Sequence, residues 1–239
     1  MRYKAVLFDM DGVIVDTTQS VTAFWLRLAA RHGLALGEAD FARHIYGCAA
    51  THTLDALFPR LTAQEREAVL AEMAEYEMRL RYTGVRGAVP FLRALRARGI
   101  PTALVTSGAR WKVEAVTGQL HIGDLFAAFV TAEDIQHSKP HPEPYLLAAH
   151  RLGKPAAHCL VFEDSISGVQ AAVAAGALCI GVRPAAAAAP LHRAGARVVV
   201  PDFSAVRLLP ASPGRPDAHL RLDLGTEGAD ALLLVPGNR

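Results

Sequence analysis

Cysteine is scarce in this chain of 239 residues. Cys48, Cys159 and Cys179 are odd in number and lack the close spacing of metal ligands, which excludes a disulfide framework and a cysteine-built metal centre. Cys159 and Cys179 stand in apolar runs, where a reduced, buried thiol is the ordinary state. That composition fits the cytoplasm. Net charge is equally scarce: 25 Lys and Arg against 23 Asp and Glu leave only +2, with no basic block to mark a nucleic-acid or membrane footprint. The expected partner is therefore a small molecule. Long apolar runs are missing too. None approaches the ~20 residues of a membrane span, and the N-terminus passes straight into a strand without the layout of a signal peptide.

What is present is 51% hydrophobic residues, inflated by alanine but enough for a large core. The length exceeds one average domain, so a core domain with an insertion is expected. Helical spacing of apolar residues recurs at 20–32, 38–45, 50–57 and 62–81. The last stretch opens on Thr62 and Glu65, a capping-box spacing. From Arg86 onward, apolar strands at 102–106, 126–131, 159–163, 178–182 and 197–200 alternate with helical stretches, which predicts a parallel sheet with helices on both faces. The fold class is thus α/β: a Rossmann-like parallel-sheet core, 1–16 and 86–203, with an inserted α-helical cap, 17–85. A tail over 204–239 carries Pro210, Pro213, Gly214 and Pro216, then runs at 218–224 and 231–235 that can pair as a terminal hairpin.

The most telling run is Lys4-Ala5-Val6-Leu7-Phe8, which delivers Asp9 and Asp11 into Gly12. A stretch so apolar reads as a buried parallel strand, and ligands of open α/β sheets bind beyond the carboxyl ends of such strands. Two acids there repel each other unless a cation or proton lies between them. Gly12 permits a positive φ and close approach to a ligand. The pattern points to metal-assisted chemistry on an anion. Three further strand ends carry polar groups: Val105-Thr106-Ser107-Gly108, the loop Ser138-Lys139-Pro140, and Phe162-Glu163-Asp164-Ser165.

These four segments, in this order and spacing, resemble the four motifs of the haloacid dehalogenase superfamily over residues 3–203. The helical insertion resembles its small cap. Asp16-Thr17, Trp25, the Val105–Gly108 segment and Ala132-Glu133-Asp134 look most like the sugar-phosphate and polyol-phosphate phosphatases. The resemblance implies a Mg²⁺-dependent phosphatase of a small phosphorylated metabolite. Asp9 would attack phosphorus and form an aspartyl-phosphate, and Asp11 would serve as acid and then base. Thr106, Lys139 and the amides of Ser107 and Gly108 would hold the phosphoryl oxygens. Asp9, the Asp11 carbonyl, Asp164 and Glu163 would form the metal site, Glu163 as ligand or as support behind the ligands.

Two alternatives share this core: a phosphosugar mutase of the β-phosphoglucomutase type, and a catalytically idle binding protein. Intact Asp9, Asp11, Thr106, Lys139 and Asp164 oppose the idle protein. Against the mutase stands Val21, four residues past Thr17, where the related mutases carry a histidine. The cap departs from its look-alikes in one respect. Several of them have Gly-Arg where this chain has Gly47-Cys48, leaving Arg43, His44, Tyr46, His52 and Arg86 as candidates for substrate contact.

Overall fold

The structure, a computed structural model, describes residues 2–210, 220–225 and 232–235. The other tail positions, including Pro213, Gly214, Pro216 and the starts of both predicted hairpin runs, lie outside the described residues. The elements in chain order are β1 (Arg2–Tyr3), β2 (Ala5–Phe8), α1 (Thr18–Arg31), α2 (Glu38–Asp40), α3 (Ala50–Leu57), α4 (Ala63–Met78), α5 (Ala88–Ala97), β3 (Thr102–Val105), α6 (Arg110–Leu120), β4 (Ala128–Val130), α7 (Glu143–Arg151), β5 (Cys159–Glu163), α8 (Ile166–Ala174), β6 (Leu178–Val182), α9 (Ala188–Ala194), β7 (Val198–Val200), β8 (Arg207–Pro210), β9 (Leu220–Asp223) and β10 (Leu232–Leu234). Phe41–Ile45 continues α2 as one π-helical stretch, not the plain α-helix its spacing predicts.

Six parallel strands form the main sheet in the order β4-β3-β2-β5-β6-β7. β2 pairs with β3 and β5, so the strand that delivers Asp9 is central. Its alternation divides the core: Val6 and Phe8 pack with Phe91, Leu92 and Val116 of α5 and α6, while Ala5 and Leu7 pack with Tyr145, Ala148 and Val169 of α7 and α8. Phe8 stacks on Phe162 with ring centroids 5.3 Å apart, and Phe91 and Phe203 close the aromatic cluster beneath the strand ends. Such rings are stiff, so the loops above them rest on a floor that yields little.

Helices α1, α3 and α4 enclose a separate core of Phe24, Trp25, Leu28, Phe41, Ile45, Leu54, Phe58 and Val69. At the start of α4 the Thr62 hydroxyl accepts from the Glu65 amide, and the Glu65 carboxylate accepts from the Thr62 amide at 2.8 Å. The tail holds more than a hairpin. β9 pairs antiparallel with both β10 and β8, and β1 joins β10 in parallel, making a four-stranded sheet. Leu220, Leu222, Leu224, Leu232 and Leu234 are buried in the same cluster as Phe8 and Phe91.

Candidate active site

Every residue singled out at the strand ends faces one cavity or stands directly behind it. β2 sets Asp9 at its carboxyl end with only 3% of its surface exposed. Gly12, at φ +77°, lets the chain turn under Asp164; a Cβ there would lie 2.2 Å from the Asp164 Oδ2. Asp9, Asp11, Thr106, Ser107, Gly108 and Asp164 all line the cavity.

Lys139 lies behind them, fully buried. Its ammonium donates to Asp9 Oδ1 at 2.5 Å, Glu163 Oε1 at 2.7 Å and the Val105 carbonyl at 3.2 Å, which uses all three donors. In this state Lys139 holds the nucleophile candidate and does not wait free for substrate. The two carboxylates raise the lysine pKa and outweigh the burial that lowers it. Asp9 is pushed well above the usual carboxylate range, first by burial and then by the charges of Glu163 and Asp164, against the pull of Lys139.

Glu163 has no acceptor capacity to spare. Its Oε1 takes Lys139 and the Tyr145 hydroxyl, and its Oε2 takes the Asp164 and Ser165 amides and the Ser165 hydroxyl, all within 2.9 Å. Five donors on two oxygens make it the anchor of Lys139 and of the loop opening α8. Asp164 is raised to about 7, chiefly by burial, with Glu163 and Asp11 adding and Arg183 opposing. Arg183 was not foreseen: it donates to the Asp164 carboxylate and carbonyl, both at 2.9 Å, and its guanidinium lies 5.1 Å from the Tyr46 ring of the cap.

Asp9, Glu163 and Asp164 each place a carboxylate oxygen within 4.8 Å of the others. Three buried acids facing Lys139 and Arg183 leave an excess of negative charge. With Glu163 spent, Asp9 and Asp164 offer hard oxygens that suit a Mg²⁺-sized cation. A cation there would also relieve the repulsion that lifts Asp9.

Asp11 is held differently. The Thr17 hydroxyl donates to its Oδ1 at 2.6 Å, and Lys112 reaches its carboxylate at 2.9 Å. Lys112 also pairs with Glu77 of α4 at 2.7 Å, so one buried ammonium joins core and cap. Burial raises Glu77 above its usual range despite Lys112. Neither residue stands out in the sequence, because a charge on a helix reads as solvated. Two further contacts join cap to core. The Ser107 hydroxyl donates to the Gly47 carbonyl at 3.0 Å, and Gly47, at φ +72°, leaves no room for a Cβ, which would meet Ser165 Oγ at 2.0 Å.

The expected phosphate cradle needs one adjustment. The Gly108 amide donates to the Thr106 hydroxyl at 2.9 Å, so it orients that hydroxyl in this state and is not free for a phosphoryl oxygen. Of the substrate-contact candidates, Tyr46 alone lines the cavity; Arg43, His44, His52 and Arg86 do not.

The sequence model of haloacid dehalogenase-like hydrolases matches residues 3–176. The chain belongs to that family. It is 31% identical to validoxylamine A 7'-phosphate phosphatase of Streptomyces hygroscopicus subsp. limoneus over 209 residues, covering 86% of this chain and 96% of the relative. It is 35% identical to hexitol phosphatase A of Escherichia coli over 197 residues, covering 76% and 84%. Among solved structures, a putative β-phosphoglucomutase from Bacteroides vulgatus superposes with a TM-score of 0.74 at 28% identity, covering 90% of this chain and 86% of that one. As a haloacid dehalogenase-like hydrolase whose relatives are named phosphatases, the protein is an enzyme, a phosphoric monoester hydrolase. Among the described residues no helix is long and apolar enough to cross a membrane.

Proposed function

We propose that the protein hydrolyses a small phosphate monoester through an aspartyl-phosphate on Asp9, with Mg²⁺ held by Asp9, the Asp11 carbonyl and Asp164. The observation that supports this most directly is the pairing of Lys139 with Asp9 at the buried end of the central strand. A phosphate dianion and a carboxylate repel, and unaided hydrolysis of such esters is extremely slow. Lys139 favours the ionised form of Asp9, against the burial and neighbouring acids that raise its pKa. The hydroxyl of Thr106 and the amide of Ser107 face the incoming phosphoryl oxygens. The metal, when bound, neutralises phosphoryl charge and aligns it for attack.

Asp11 divides its work between two steps. Pulled towards both Thr17 and Lys112, it is oriented to give a proton to the leaving alcohol oxygen and then to take one from the water that hydrolyses the acyl phosphate. Glu163 serves through Lys139, and Lys112 through Asp11. Transfer to water is favoured over transfer to a second sugar hydroxyl, because Val21 lines the cavity where a mutase would need a hydrogen-bonding group to restrain the acid. The relatives' names put sugar and polyol phosphates at the head of the substrate panel.

Phosphate release over such a panel tests the reading. Release is expected with Mg²⁺, and dialysis against a chelator should abolish it until Mg²⁺ is returned. Asp9→Asn should lower turnover by at least about a thousandfold without unfolding the protein, since an amide fills the same space but cannot attack phosphorus. A variant retaining a tenth of the activity would remove Asp9 from the nucleophile's role.

A further inference from the structure

Outside the cavity, the loop that carries Lys139 gathers three metal-ligating side chains on its solvent side. His137 and His141 bracket Lys139, and Glu143 opens α7 just beyond them. The lysine turns inward and is fully buried, whereas the two imidazoles are 62% and 50% exposed. None of the three lines the cavity above Asp9. Each offers one ligand atom, and these atoms all lie within 4.8 Å of one another. His137 Nδ1 stands 2.9 Å from Glu143 Oε2, His141 Nδ1 stands 3.9 Å from the same oxygen, and the ring centroids are 4.6 Å apart. Ligands around one tetrahedral Zn²⁺ are spaced by roughly 3.3 Å, given bonds of about 2 Å. The two observed distances bracket that spacing.

The backbone fixes where the carboxylate points. The Gln136 amide donates to Glu143 Oε1 at 2.8 Å and the His137 amide to Oε2 at 2.9 Å. These bonds hold the carboxyl below its usual range and orient it, as hydrogen bonds behind a metal ligand do. Its charge also offsets the positive end of α7, which would otherwise repel a cation. Pro140 and Pro142 restrict the chain on either side of His141, whose amide donates to the Ser138 carbonyl at 3.0 Å. The site is therefore largely built before an ion arrives. An ion would displace only the contact of His137 Nδ1 with Glu143 and the Glu143 amide that His141 Nδ1 receives at 3.2 Å. That amide belongs to the first turn of α7, where water replaces the bond readily.

We propose that His137, His141 and Glu143 form a site for a transition-metal dication such as Zn²⁺, separate from the Mg²⁺ site. The ion would tie together the two ends of loop 137–141 and steady the backbone from which Lys139 reaches Asp9. Imidazole nitrogens select such ions, whereas Mg²⁺ is a hard ion that prefers oxygen.

Zn²⁺ titrated calorimetrically into the full chain, with Mg²⁺ in excess, probes the site. We expect one strong equivalent in the wild type and at least tenfold weaker binding in both His137→Gln and His141→Gln. The cap's histidine pair, His44 and His52 with ring nitrogens 3.4 Å apart, is the competing place for an ion. His44→Gln combined with His52→Gln should therefore leave the strong equivalent unchanged. In that double variant, which leaves the loop intact, Cu²⁺ should give an electron paramagnetic resonance spectrum coupled to two imidazole nitrogens. Amide exchange over residues 136–143 should slow at least threefold when Zn²⁺ binds. Absence of a strong equivalent, binding that survives either loop substitution, or binding lost with His44 and His52 overturns the site. Exchange unchanged by bound Zn²⁺ overturns the brace.

Discussion

Burial disfavours the ionised form of Asp9, and Lys139 opposes it with a positive charge at 2.5 Å. Glu163 in turn keeps the lysine in place. A similar arrangement governs Asp11, where Lys112 is shared with Glu77. Pairs this deeply buried are costly to break, because the surviving partner keeps its charge and loses its compensation. Lys112→Met should therefore destabilise the protein by about 3 kcal/mol. Lys112→Met combined with Glu77→Leu should recover part of that loss. Urea unfolding of the two single variants and the double variant measures the coupling. Additive effects would mean that the contact contributes nothing. Lys112 was illegible in the sequence for a physical reason. Its partners stand 101 and 35 residues away, and only the meeting of cap and core brings them together.

At the scale of elements, the strand ends depend on how helices are tied to loops. Asp134 follows β4 and accepts from the Thr131 amide at 2.9 Å, from Arg151 of α7 at 2.7 Å and from Arg110 of α6 at 3.2 Å. One carboxylate thus fastens two helices to the edge of the sheet. These contacts, Arg151 first, hold it well below the usual carboxylate range. The folded form therefore releases this proton more readily than the unfolded chain does. The stabilisation is complete above the unfolded pKa, ~4, and is lost as pH falls from there through the folded value. Asp134→Asn should flatten the decline in melting temperature between about pH 4 and pH 2. An unchanged acid slope would show that the contacts do not favour the ionised form. The elements themselves were largely legible: apolar runs marked the six parallel strands, and the capping box marked the start of α4. The π-helical stretch was not, since its apolar residues keep the spacing of an α-helix.

On the scale of the whole molecule, the second sheet was the least legible feature. A two-residue strand such as β1 has no periodicity to read, and Lys4 separates it from β2 without a turn signal. The tail's alternation predicted pairing but not its destination. Five buried leucines from β9, the segment after it and β10 lie against the α5 side of the core. At roughly 1.5–3 kcal/mol each, their burial amounts to about 10 kcal/mol, comparable to the net stability of an ordinary domain. Removal of residues 207–239 should therefore abolish cooperative thermal unfolding and produce binding of a hydrophobic dye. A truncated protein that melts within about 2 °C of the full chain would show that the second sheet is dispensable.

The pairing of β1 with β10 also bears on the order in which the protein is made. The Tyr3 carbonyl accepts from the Val235 amide at 2.8 Å, so a residue bonds to one translated about 230 residues later. At usual elongation rates that interval is roughly ten to fifty seconds. Throughout it the strand bearing Asp9 can pair with its parallel neighbours as they emerge, while the α5 side of the core stays bare. The nascent chain passes through a state in which its catalytic half is assembled and its apolar flank is open, a state in which chaperones have surface to hold.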